Sequence, residues 1–117
     1  MSVKTTRIMF VEHKADGAEG AAHIGRVTFS KTGLSVTVGG TVLTPNQSFK
    51  SNYVDPDSGE EYWISAPKRH GGDRIYGKGV VEIDDDVRVE YWTTIREQPE
   101  RQHETRYWDG CGQLKSA

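Results

Sequence analysis

Glycine sets the first limit on what this chain can fold into. Thirteen glycines are spread through 117 residues, and many of them separate short runs of β-branched and aromatic residues. Glycine tolerates the positive φ angles of tight turns and weakens helix interiors by about 1 kcal/mol relative to alanine. The spacing therefore predicts many short strands joined by turns. Arg7-Ile8-Met9-Phe10-Val11-Glu12 is a nearly continuous apolar run, read as a central strand. The segment from Lys14 to Ala22 is a polar loop, and residues 23–30 mix β-branched and aromatic residues as a second strand. In Leu34-Ser35-Val36-Thr37-Val38 the apolar residues alternate, so the Leu/Val face is expected to be buried. Gly39-Gly40 then reads as a two-residue hairpin turn into Thr41-Val42-Leu43.

A second hairpin is expected where Asp55-Pro56-Asp57-Ser58-Gly59 separates Asn52-Tyr53-Val54 from Glu60-Glu61-Tyr62-Trp63-Ile64-Ser65. Proline pre-sets φ, Asp and Ser accept local backbone hydrogen bonds, and glycine supplies a positive φ. Residues 66–79 form a glycine-broken basic loop, with an extended piece at Arg74-Ile75-Tyr76, and Val80-Val81-Glu82-Ile83 is a brief strand. One helix follows over residues 84–97. Asp84 or Asp85 is placed to cap it, Val87, Tyr91 and Ile95 repeat at i, i+4 and i+8 with Trp92 beside them, and Pro99 ends it.

The reading is a mainly β (α+β) domain: a small curled antiparallel sheet or SH3-like barrel with one C-terminal helix. A flat antiparallel sheet crossed by the helix is the alternative. The length suits one domain over residues 1–99, followed by a polar tail over 100–117 from which Tyr107-Trp108 is able to dock back. Hydrophobic residues make up only 34%, but three Trp, five Tyr and three Phe offset the thin aliphatic supply. Each ring buries about 150–250 Å².

Three segments resemble the signatures of a group of small uncharacterised bacterial proteins. They are Ile24-Gly25-Arg26-Val27-Thr28-Phe29-Ser30-Lys31-Thr32-Gly33, Ser58 to Lys68, and Val81-Glu82-Ile83-Asp84-Asp85-Asp86-Val87-Arg88-Val89-Glu90-Tyr91-Trp92. The chain departs from that pattern at Ala66 and at Val38-Gly39-Gly40. The resemblance implies a bacterial origin and transfers no activity or site.

A net charge of −2 hides an asymmetry. Residues 1–50 carry six Lys/Arg against three Asp/Glu, and residues 51–117 carry nine against fourteen. The local exception is the loop 67–78, where Lys68, Arg69, Arg74 and Lys78 face only Asp73. With Tyr62-Trp63 just upstream and His70 and Tyr76 inside it, this loop is the candidate binding segment. Cations track phosphates and rings stack bases in single-strand binders.

Catalytic motifs are absent: no P-loop, dinucleotide fingerprint, nucleophile elbow, His-Glu-x-x-His or Cys-x-x-Cys occurs. Asp84-Asp85-Asp86 with Glu82 and Glu90 lacks the alternating ligands and glycine of a calcium loop, and His13, His23, His70 and His103 are scattered. No metal and no cofactor is expected. The favoured function is a non-enzymatic module binding a protein or peptide through aromatic sheet residues, as an inhibitor or immunity-type protein would. The alternative is a single-stranded nucleic-acid binder using the basic loop. An enzyme using Asp73 with His70 ranks third.

One cysteine excludes an internal disulfide and suits a reducing compartment. No signal-peptide pattern or long apolar run appears, so a cytoplasmic, non-membrane protein is expected. Cys111 sits between two glycines in the polar tail. Cys111→Ser should leave the denaturant midpoint unchanged, within about 0.5 kcal/mol of the native chain.

Overall fold

Two long strands organise the molecule. The computed structural model describes residues 5–14, 21–73 and 79–109. Arg74, Tyr76, Lys78 and Cys111 lie outside them. Strand β1 (Thr5–His13) pairs antiparallel with β2 (Ala21–Phe29) along their whole length, from Thr5 opposite Phe29 to His13 opposite Ala21. β3 (Val36–Val38) continues from the C-terminal end of β2, and β4 (Thr41–Pro45), β5 (Tyr53–Val54) and β6 (Glu61–Ser65) follow in order. β6 returns to the free edge of β1, with Phe10 opposite Ser65 and His13 opposite Tyr62. That pairing closes a six-stranded antiparallel barrel.

Turn chemistry fixes the registers. Gly39 and Gly40 have φ of 56° and 88° and join Val38 to its partner Thr41. Two successive positive φ angles give the mirror-image turn whose twist matches a hairpin. In the β5–β6 turn, Gly59 (φ 80°) donates to the Asp55 carbonyl, and the Asp55 side chain accepts from the Asp57 N–H.

The remaining strands leave the barrel. β7 (Gly79–Ile83) runs parallel to the N-terminal half of β2, with Ala22 opposite Val81 and Ile24 opposite Ile83. β8 (Arg106–Asp109) then pairs antiparallel with β7 and is the outermost described strand on that side of the sheet. The packed domain thus extends beyond residue 99: Tyr107 is buried in the core, and Trp108 beside it points outward.

Alternation along β1 and β2 feeds two cores. Val11, Val27, Val36, Leu43 and Ile64 fill the barrel, with Met9 and Phe29 packed against them. Ile8, Phe10, Ala22 and Ile24 face the other way, where Val81, Ile83, Val87, Tyr91, Trp92 and Tyr107 cover them. The second core is the aromatic one. Tyr91 and Tyr107 stack at 5.8 Å, and Trp92 meets both edge-on.

The helical segment 85–95 (α1) supplies those rings. It opens as a 3-10 turn at Asp85–Val87, is α-helical over Arg88–Glu90, and widens to a π turn at Tyr91–Ile95. The Arg96 N–H donates to the Tyr91 carbonyl across the wide turn. Val87, Tyr91 and Trp92 are fully buried and Ile95 packs beside them.

Two details differ from the sequence reading. Leu34 is 65% exposed because the β2–β3 ladder stops at Phe29–Val36, which leaves it in the turn. Asp84 occupies the N-cap but makes no capping hydrogen bond. The acidic turn makes ion pairs instead: Asp85 with Arg88, and Asp86 and Glu90 with Arg26 of β2 at 3.6 and 3.8 Å.

Trp92 is enclosed on every side, so Trp92→Ala should cost about 3–5 kcal/mol in urea unfolding. Leu34→Ala should cost no more than about 0.5 kcal/mol.

Candidate functional site

The anticipated binding rings, Tyr62 and Trp63, are both committed to packing. β6 is covered on both faces, so alternation sends each ring into a different core. Tyr62 packs against the barrel core and stacks on His13, with centroids 4.6 Å apart and planes 10° from parallel. Trp63 packs against the second core, and its buried Nε1 has no hydrogen-bond partner among the described residues. The two cores, one on each face of β6, take one ring each. Burial, with Glu60 and Asp55 nearby, raises the Tyr62 pKa, which keeps its phenol neutral.

The described part of the basic loop, residues 67–73, is tied by several hydrogen bonds. The Lys68 N–H donates to Asp73 Oδ1 at 2.7 Å, and Lys68 Nζ donates to the Gly72 carbonyl. Arg69 Nη2 donates to Glu97 Oε1 at 2.9 Å, which ties the loop to the end of α1. His70 is exposed.

Asp73 is 2% exposed and acts as the clasp. Its Oδ2 accepts the Tyr107 hydroxyl at 2.7 Å, and its backbone N–H donates to Asp109 Oδ2 at 2.8 Å. Arg96 completes the assembly: its Nη1 donates to the Tyr91 hydroxyl at 2.7 Å, and its guanidinium lies 4.9 Å from the Tyr107 ring centroid. Asp73 and His70 therefore do not form the acid–base pair considered from the sequence. The carboxylate is buried and consumed by loop contacts, whereas the imidazole faces solvent.

A cleft opens near the point where β2 changes partners. β3 holds Thr28 and Phe29, whereas β7 holds residues 22–24. Near this fork, at the His13–Ala21 end of the β1–β2 pair, is a cleft of about 380 Å³, lined by His13, Ala21, His23, Val38, Tyr62 and Glu82. His13 Nε2 sits 2.7 Å from Glu60 Oε1, and His23 Nε2 sits 3.9 Å from Asp84 Oδ2. Gly25 makes this approach possible, since a Cβ there would lie 2.5 Å from the Asp84 carboxylate. Among the described residues no cluster of three His, Cys, Asp or Glu is arranged to hold a metal ion.

Beside the cleft, the outer face of β7–β8 carries the side chain that sequence reasoning placed only as a docking residue of the tail. Trp108 is 65% exposed and lies opposite Val80, itself 42% exposed, while Glu82 pairs with Arg106 at 3.7 Å. The Ile83 N–H donates to the Thr105 carbonyl. In an antiparallel ladder this makes Val81–Tyr107 the next hydrogen-bonded pair and turns the N–H and C=O of Arg106 and Trp108 to the outer edge. The alternation Tyr107-in, Trp108-out was the available signal, and it was hidden by reading the segment as tail.

The fold and this site define a small closed β-barrel with an appended helix-covered sheet. No protein-family model, curated protein or solved structure matches the chain.

Burial raises the Asp73 pKa above its ordinary 3.8, against the opposing hydrogen bonds from Tyr107 and the Lys68 N–H. Between the unfolded and the raised folded pKa, the native state holds the extra proton. The contribution is therefore fully present below the unfolded pKa and is lost as pH rises through the folded one. Asp73→Asn should remove this slope, so as pH falls from 7 to 3 the urea midpoint of the native chain should rise relative to that of the variant. An offset constant from pH 3 to 7 would place no titration on Asp73.

Proposed function

We propose that this domain is a non-enzymatic interaction module that binds an extended segment of a partner protein along the outer edge of β8. The carrying observation is Trp108, a large ring 65% exposed on the last described strand of the sheet. Exposed tryptophans dominate binding hot spots because they bury much area at little entropic cost. An incoming strand would take its hydrogen bonds from the outward backbone groups of Arg106 and Trp108, the mode of β-strand addition. The Trp108–Val80 pair would seat one of its side chains, and the cleft at His23 and Tyr62 continues the same face.

The setting that fits is the cytoplasm, where a single cysteine is unremarkable, and an inhibitor or immunity-type role is compatible with strand addition. Among the described residues no helix is long and apolar enough to cross a membrane. The single-stranded nucleic-acid reading loses support, because Trp63 packs against the second core, Tyr62 stacks on His13, and Arg69 is paired with Glu97.

A photo-crosslinking residue placed at position 106 should capture a discrete partner at the β8 edge. Trp108→Ala should weaken that complex by at least about 2 kcal/mol, or roughly 30-fold. Lys68→Ala with Arg69→Ala should leave it unchanged. Saturable, strongly salt-dependent binding of a short single-stranded oligonucleotide, lost on the Lys68/Arg69 double substitution, would overturn the proposal.

A further inference from the structure

The opposite end of the barrel carries a pocket that the β8 surface does not use. It has a volume of about 330 Å³ and is lined by Thr5, Arg7, Phe29, Ser30, Lys31 and Thr32, with Gly33 at its rim. The β1–β2 register explains its position. Thr5 faces Phe29 at one end of the pair, and His13 faces Ala21 at the other, where the cleft lies. We propose that this pocket binds a small phosphate monoester, with the phosphate between Arg7 and Lys31 and an apolar or aromatic body against Phe29.

Three observations converge on that ligand class. First, among the described residues the lining holds two cations and no carboxylate. The whole stretch between Glu19 and Asp55 contains no Asp or Glu. Two of the six cations of residues 1–50, Arg7 and Lys31, thus meet at this pocket.

Second, the turn presents a donor. Ser30 Oγ accepts the Ser35 N–H at 3.1 Å, Thr32 Oγ1 accepts the Leu34 N–H at 3.3 Å, and the two hydroxyl oxygens are 3.3 Å apart. Each hydroxyl has one proton, and only one can lie on the line between them. The other hydroxyl proton remains to be donated to an oxyanion. Gly33, at φ 79°, closes the turn by donating to the Ser30 carbonyl and holds both hydroxyls on one side.

Third, the pocket has an apolar wall. Phe29 is half-buried with the Arg7 guanidinium 5.9 Å from its ring centroid. A guanidinium placed over a ring is oriented for bidentate phosphate binding, and the same ring offers a face to the remainder of a ligand. A free phosphate ion would use the cations and leave this wall empty. The volume falls at the lower end of the range for small-molecule sites.

Isothermal titration of the full chain with adenosine 5′-monophosphate, inorganic phosphate and adenosine tests the assignment. Saturable one-to-one binding of the monophosphate is expected, with phosphate competing more weakly and adenosine at least about tenfold weaker. Arg7→Gln and Lys31→Gln should each weaken the monophosphate about tenfold, the loss expected for one charge-assisted contact. Both residues are exposed, so their urea midpoints should stay native. Lys50→Gln, a cation in the same acid-free stretch but outside the pocket, should bind like the native chain. Absence of saturation below about 10 mM would overturn the proposal. So would an equal loss in Lys50→Gln, or tighter binding of a single-stranded oligonucleotide than of the monophosphate.

Discussion

Everything in this structure depends on β1 and β2 being buried on both faces. Met9, Val11, Val27 and Phe29 serve the barrel, and Ile8, Phe10, Ala22 and Ile24 serve the second core. Neither core alone is large, and the shared strand pair makes them one cooperative unit. It also forces β2 to supply hydrogen bonds to three neighbours. One edge belongs to β1, and the other is divided between β3 and β7. Where β3 and β7 part, between Ile24 and Thr28, the sheet cannot be continuous.

The barrel was legible in the sequence because turn chemistry is local. Gly39-Gly40 and Asp55 to Gly59 specify their hairpins without reference to the rest of the chain, and the helix announces itself by Val87, Tyr91 and Ile95. The second core was harder to read, because its β-sheet partners are distant. Nothing local in Val80-Val81-Glu82-Ile83 signals a parallel pairing to a strand almost sixty positions earlier. Tyr107 becomes a core residue only once β7 exists to hold β8. Leu34 failed for the opposite reason. Its alternation is genuine, but the ladder that would bury it ends two residues too soon.

The candidate site shows how charge patterning misleads when partners are remote. Lys68 and Arg69 sit in a sequence window of positive charge, yet Glu97 and Gly72 occupy them, and Asp73 is the centre of the loop's architecture. A buried carboxylate that joins Lys68 of the loop to Tyr107 of β8 is worth more as a clasp than as an acid, because removing either donor leaves a desolvated acceptor. Asp84 or Asp85 was expected to cap the helix. Asp84 and Asp86 instead lie against His23 and Arg26 of β2, and Asp85 pairs with Arg88 within its own helical turn.

The same antiparallel pair that joins the cores also separates the molecule's surfaces. Running β1 against β2 places Thr5, Arg7 and the 30–33 turn at one end, and His13, Ala21 and His23 at the other. The first end carries Arg7 and Lys31. The second gathers Glu60, Glu82 and Asp84 from later strands. A charge asymmetry along the sequence thereby becomes an asymmetry along the barrel axis. At physiological salt the screening length is about 8 Å, and β1 alone, nine residues at about 3.3 Å each, spans more than three such lengths. The two ends are electrostatically independent, so a cationic pocket and an acidic, aromatic-edged face can coexist on a domain this small without either dictating what the other binds.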